Sequence, residues 1–259
     1  MKVLFVGDIV GSPGRKAVRE ALGSIVSERD VDFVIANGEN AAGGFGIIES
    51  IASQVFACGV HVITSGNHIW DKKEVYGFID HEQRLLRPAN YPNGAPGHGY
   101  GVFETPRGGR ISILNLAGRV FMQNVDCPFH YAQKWVEKMA RETKVCLIDF
   151  HAEATSEKIA FARMLDGRVS AVVGTHTHVQ TADEQVLPNG TAYITDVGMT
   201  GPRDSVIGTE PAIVIERFLT QIPKRLEVAK GPWKFDSVLI DIDDASGRAR
   251  AIERVNRFG

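Results

Sequence analysis

Short apolar, β-branched runs alternate with segments of helical apolar spacing along most of this chain, and that alternation confines it to an α/β fold. Val3–Val6, Val31–Ala36, Val60–Thr64, Val145–Phe150 and Ala171–Val173 read as strands. Between them Pro13–Val26, Ile47–Ala57, Lys73–Ile79, Ala132–Arg141 and Glu157–Leu165 read as helical, the first starting after Ser12 as N-cap. Gly99–Glu104 and Arg110–Asn115 alternate about Gly108-Gly109 as an antiparallel hairpin. Beyond His178 the pattern is mostly β, with Gln185–Leu187 and Ala192–Thr195 about Pro188-Asn189-Gly190, and a last hairpin of Ser237–Ile242 and Ala249–Val255. A parallel half followed by hairpins predicts two mixed sheets. The Gly- and Pro-rich stretch Pro88–Gly101 reads as a surface excursion, so residues 1–259 are taken as one domain.

The residues just beyond each strand carry the chemistry. The runs end in Gly7-Asp8, in Asn37-Gly38-Glu39-Asn40, in Gly66-Asn67-His68, at His151, and in Gly174-Thr175-His176-Thr177-His178. Ligands of α/β folds gather outside the carboxyl ends of strands, so these residues are expected on one rim. Singly, most have a bland reading: Asp8 as a turn residue, Asn67-His68 as turn chemistry, His151 as a satisfied core histidine. His176 and His178 differ, because alternate residues of an extended segment face the same way. Jointly, carboxylate, amide and imidazole groups without thiolate form a ligand set suited to Mn, Fe or Zn. Their number exceeds the need of one ion and fits two ions roughly 3.5–4 Å apart, bridged by a shared carboxylate. His61, His81, His98 and His130 lack this context and read as surface or packing residues. There is no P-loop lysine and no G-x-S-x-G elbow.

A formal net charge of −2 gives no field for extended nucleic-acid binding, although a small nucleotide remains a possible substrate. Three cysteines without close pairing fit a reducing compartment, and the first apolar run is too short for a signal core, so the expectation is a cytoplasmic protein with no membrane association.

The series Gly7-Asp8, Glu39-Asn40, Gly66-Asn67-His68, His151 and Gly174-Thr175-His176-Thr177-His178 resembles the calcineurin-like metallophosphoesterase superfamily. Within it, Gly7-Asp8-Ile9-Val10-Gly11, Asn37-Gly38-Glu39-Asn40-Ala41 and Gly66-Asn67-His68-Ile69-Trp70-Asp71 resemble the bacterial 2′,3′-cyclic-nucleotide 2′-phosphodiesterases. The resemblance spans nearly the whole chain. It implies a four-layer α/β/β/α sandwich of two mixed sheets and two transition-metal ions, iron first and manganese as the alternative. It also implies that Asp8, Glu39, Asn40 and His178 hold one ion, that Glu39, Asn67, His151 and His176 hold the other, and that His68 donates a proton. The implied reaction converts 2′,3′-cyclic nucleotides to 3′-nucleotides. Three positions depart from the superfamily pattern. Val10 stands where it has a histidine, Glu39 where it has an aspartate, and Ile69 where an acid follows the catalytic histidine, with Asp71 further on. The alternatives are a broad phosphomonoesterase or phosphodiesterase on a small phosphoester, or a metal-ordered regulatory scaffold; a homo-oligomer is compatible with either.

Overall fold

A computed structural model describes all of residues 1–259. Its elements in chain order are β1 (Lys2–Val6), β2 (Asp8–Ile9), α1 (Gly11–Arg29), β3 (Phe33–Asn37), α2 (Glu49–Ala57), β4 (Val62–Thr64), β5 (Tyr100–Glu104), β6 (Arg110–Ala117), α3 (Pro128–Glu142) and β7 (Val145–His151). Then come α4 (Thr155–Leu165), β8 (Ala171–Thr175), β9 (Gln185–Val186), β10 (Ala192–Ile194), β11 (Met199–Pro202), α5 (Pro211–Thr220), β12 (Trp233–Ile242) and β13 (Ala249–Phe258). Seven strands form one sheet, in the order β2-β11-β12-β1-β3-β4 with β13 beside β12, and six form the other, β5-β6-β7-β8-β10-β9. Both are mixed: β1, β3 and β4 run parallel while β12 opposes β1, and β6, β7, β8 and β10 run parallel while β5 and β9 oppose their neighbours.

The period-2 alternation of the strands separates the layers. Leu4, Val6 and Val34 face Ala17, Leu22 and Ile25 of α1. Their chain neighbours Val3, Phe5, Phe33 and Ile35 point the other way and meet Ile111, Ile113, Leu147 and Val173 of the second sheet. Leu114, Leu116, Ile148 and Phe150 turn to the far side, where Val136, Met139, Phe161 and Leu165 of α3 and α4 cover them. Three apolar seams therefore hold four layers, helix, sheet, sheet and helix, in the α/β/β/α arrangement expected. No helix is long and apolar enough to cross a membrane.

Several local expectations change. Helix α1 begins at Gly11 with Val10 as its uncapped N-cap, so Ser12 lies inside the first turn. Lys73–Gly77 is a 3₁₀ turn rather than an α-helix. The region after His178 holds five strands, β9 to β13, and also one helix, α5, that was not expected; its apolar residues Ile215, Phe218 and Leu219 stand exposed and Val214 alone is buried. The excursion after Arg87 is not all surface: buried Asn90 donates to Ala117 O at 2.8 Å and Asp126 O at 2.9 Å, satisfying backbone that would otherwise be stranded.

Phe161 tests the outer seam. Its ring is fully buried, stacks on Phe150 at 4.2 Å between centroids and meets Phe129 edge-on at 5.5 Å. Phe161→Ala is expected to cost about 3–5 kcal/mol, lowering the melting temperature by about 6–15 °C in a calorimetric scan. A shift within error would show that α4 is not held by this packing.

Candidate metal centre and active site

The rim expected from the sequence exists. Asp8 follows β1 and Gly7, Glu39 and Asn40 follow β3, Asn67 and His68 follow β4, His151 ends β7, and His176 and His178 follow β8. Asp8, Glu39 and His151 have no exposed surface and Asn40 is 2% exposed. A side chain could not be added at Gly66, since its Cβ would overlap the His151 ring and the Glu39 carboxylate.

Two subclusters share Glu39. In one, His151 Nε2 lies 3.1 Å from Glu39 Oε1, 3.0 Å from Asn67 Oδ1 and 3.0 Å from His176 Nδ1. In the other, Asn40 Nδ2 lies 3.3 Å from both Glu39 Oε1 and His178 Nε2, and His178 Nε2 lies 3.7 Å from Asp8 Oδ1. Ligand atoms of Glu39, His151 and His176 all fall within 4.8 Å of one another. One hydrogen on His151 Nε2 cannot satisfy three neighbouring acceptors. Asp8 Oδ1 and Asn40 Oδ1 are buried with no hydrogen-bond partner at all.

The outer nitrogen of each imidazole has an acceptor. His151 Nδ1 donates to Thr175 Oγ1 at 2.9 Å, and Thr175 passes its own hydrogen to Asp149 Oδ1 at 2.8 Å. His176 Nε2 donates to Glu153 Oε2 at 3.1 Å. His178 Nδ1 donates to Ile207 O at 2.8 Å. Each bond fixes a tautomer whose other nitrogen turns a lone pair toward the carboxylates, the arrangement of metal-binding histidines.

Electrostatics are correspondingly tense. Burial raises the Asp8 pKa against the pull of His178 and His151. Burial also opposes charge on Glu39, but His151 and His68 outweigh it and hold Glu39 at about 2. His151, against the same burial, is lifted to about 9 by Glu39, Asp8 and Asp149, while burial and His151 push His176 down to about 3. Asp8 and Glu39 thus bring two buried carboxylates together with no lysine or arginine among their hydrogen-bond partners, a demand for positive charge that a cation would meet.

An open cleft of about 260 Å³ lies over the cluster, at the small end of ligand sites. His68 lines it. Its backbone N–H donates to Glu39 Oε2 at 2.9 Å, its Nδ1 lies 2.7 Å from Asp71 Oδ2, and its ring meets Phe45 edge-on at 5.0 Å. Asp71 thus takes the orienting place despite the intervening Ile69. His61 stacks on Phe33 at 4.7 Å, a packing role as expected.

The family model for YmdB-like proteins matches residues 4–255. This chain belongs to the YmdB-like protein family. It is 49% identical over 255 residues, 98% of this chain and 96% of the relative, to a Bacillus subtilis (strain 168) protein named 2′,3′-cyclic-nucleotide 2′-phosphodiesterase. A crystal structure of a hypothetical protein from Thermus thermophilus matches with TM-score 0.94 and 42% identity, covering 100% of this chain and 99% of that one. A crystal structure described as a novel phosphatase from Mycoplasma pneumoniae matches with TM-score 0.94 and 34% identity, covering 100% and 93%. The resemblance read from the strand-end motifs is borne out.

The YmdB-like site also contains groups that the motifs did not reveal. Asp149 sits two residues before His151 on the same face of β7, and a lone acid in the apolar run Val145–Phe150 was the available signal. Glu153, two residues after His151, had no such mark. His176 and His178 reach the cluster by a different route from the one expected: the segment is not extended, for their φ angles are 104° and 65°. Such left-handed backbone costs on the order of 1–3 kcal/mol per residue and persists only where neighbours impose it. Here Asp8 Oδ2 accepts the His176 N–H at 3.3 Å, and Asp196 Oδ2 accepts the Thr177 N–H at 3.0 Å. Asp196 is itself held by Lys158 Nζ at 2.8 Å, both side chains being buried.

Removing Lys158 leaves Asp196 buried without its counterion. Lys158→Met is expected to lower stability in urea by about 3–5 kcal/mol. Adding Asp196→Asn recovers part of it, since the amide oxygen can still accept a backbone N–H. A loss below about 1 kcal/mol, the scale of a surface pair, would show that the ion pair does not hold this turn.

Proposed function

We propose that this chain is a dinuclear metal-dependent phosphodiesterase that converts 2′,3′-cyclic nucleotides to 3′-nucleotides, with His68 as proton donor. The observation that carries the reading is the convergence of inward-facing imidazole nitrogens, carboxylates and amide oxygens, including the unpartnered Asp8 Oδ1 and Asn40 Oδ1, beneath a cleft that His68 lines. Asp8, Glu39, Asn40 and His178 would hold one ion and Glu39, Asn67, His151 and His176 the other. Glu39 belongs to both subclusters and is the bridging residue in this reading. Carboxylate, amide and imidazole donors without thiolate suit iron, the metal we favour, and manganese as the alternative. The name of the Bacillus subtilis relative supports the substrate. We read the chain as one metallophosphoesterase domain. Its three free cysteines accord with a cytoplasmic location.

Bound ions would supply Lewis acidity, lowering the pKa of an attacking water and neutralising phosphoryl charge. The protein's own part lies in the proton. Attack forms a new phosphorus–oxygen bond and breaks the bond from phosphorus to the ribose 2′ oxygen, which leaves carrying the electron pair. With Nδ1–H given to Asp71 and the ring braced by Phe45, His68 has Nε2–H to deliver to that oxygen. Such general-acid help is worth about 10²–10⁴-fold. The resulting 3′-nucleotide keeps its phosphate on the 3′ oxygen.

His68→Ala should retain metal and fold, yet lose about 10²–10⁴-fold in turnover of cyclic nucleotides. The loss should shrink for a nitrophenyl ester, whose leaving group departs without a proton. Metal content and both rates on one preparation check this. An undiminished rate on the poor leaving group would end the proton-donor assignment, and loss of metal would make His68 a ligand.

A further inference from the structure

The reaction cleft has an unusual charge distribution for a site handling phosphate. No lysine or arginine lines it, and it carries the carboxylates of Glu153 and Glu227. A second anionic group on a substrate therefore finds no basic side chain inside the cleft to receive it. Free positive charge lies across one ridge. Leu226, Glu227 and Val228 wall the cleft on one side and a second open cavity, about 450 Å³, on the other. The ridge is seated closely, for a Cβ at Gly11 would lie 2.9 Å, and one at Gly44 2.7 Å, from the methyl groups of Val228. Gly44 lines the cleft and Gly43 the second cavity, so the two are contiguous along one loop.

Arg15 and Arg225 line this second cavity, together with Ser12 of the α1 N-terminus. Arg15 donates to Ala41 O, and burial and the like charge of Arg19 depress its pKa with no carboxylate opposing them. Arg225 is exposed. The first turn of α1 contains no acidic residue and no side-chain cap, and its first N–H, that of Gly11, donates to Asn40 O at 2.9 Å. Glu227 is the one carboxylate on the lining.

We propose that this cavity is a subsite for a second phosphate, the one on the 5′ side of the nucleotide whose cyclic phosphate occupies the cleft, with Arg15 and Arg225 as its receptors. The proposal rests on the cyclic-nucleotide reading above and narrows it, making 5′-phosphorylated nucleotides or the 3′ ends of short oligonucleotides better ligands than nucleosides without that phosphate. Both sources present the same chemistry, a phosphate one ribose away from the reacting group.

The test uses reaction products as inhibitors of bis(p-nitrophenyl) phosphate hydrolysis by the metal-loaded enzyme, so it does not depend on turnover of any nucleotide. Adenosine 3′,5′-bisphosphate is expected to inhibit about 5–10-fold more strongly than adenosine 3′-phosphate, the scale of two solvent-exposed ion pairs. Arg225→Ala, a side chain without a hydrogen bond to lose, should erode that advantage while leaving inhibition by adenosine 3′-phosphate and the basal rate unchanged, and Arg15→Ala should erode the ratio of the two inhibition constants as well. The 3′-phosphorylated diadenosine dinucleotide distinguishes the sources: an equal advantage identifies a continuing chain, none identifies a terminal 5′-phosphate. Equal inhibition by the mono- and bisphosphate, or an advantage that survives both substitutions, would overturn the subsite. Failure of every 3′-nucleotide to inhibit would instead overturn the cyclic-nucleotide reading and the subsite with it.

Discussion

Asp8 and Glu39 are buried where water cannot stabilise their charge, Glu39 3.1 Å from the buried His151 and Asp8 3.7 Å from His178. An uncompensated carboxylate in such a place costs several kcal/mol, so its neighbours must either supply positive charge or suppress ionisation. His151 answers only part of the demand, and the raised pKa of Asp8 records the remainder. Around this centre each imidazole is tied back on its outer nitrogen, to Thr175, Glu153 or Ile207 O, so that its inner lone pair is committed to the cluster. The proposed pair of cations would settle the charge and coordination problems together.

Holding such a cluster requires stiff supports, and the layers provide them. Asp8, Glu39, Asn67 and His151 come from the ends of parallel or near-parallel strands whose opposite faces are locked into separate apolar seams. The His176–His178 turn is the exception. It departs from the strand into left-handed backbone and is held by the Asp8 and Asp196 carboxylates, the second fixed by Lys158 from α4. A helix on the outer layer thereby bears on how the two histidines are held at the rim.

The strands, their order of polar endings and the seven strand-end candidates beside His68 were legible because each lies where a period-2 apolar run stops. Other features escaped. Helix α5 was missed although Ile215, Phe218 and Leu219 give it helical apolar spacing; the fold leaves that stripe exposed and buries only Val214. The turn at His176 and His178 was read as extended because alternation says which way side chains face only while backbone remains in the β region; here tertiary hydrogen bonds override it. Glu153, Asp149 and Asp71 orient histidines through contacts that depend on how the loops close. Of these, Asp71 was in view but its role was not, since Ile69 occupies the position where the acid usually sits and only the folded turn brings the carboxylate to 2.7 Å from His68 Nδ1.

The central claim, that Glu39 joins two metal positions, is tested most directly by elemental analysis of anaerobically purified protein beside Glu39→Gln and His178→Ala. The account predicts two ions per chain in the native protein, a loss at both positions in Glu39→Gln, and a loss of mainly one in His178→Ala. Saturation of the native protein at a single ion, or an unchanged metal content in Glu39→Gln, would contradict it.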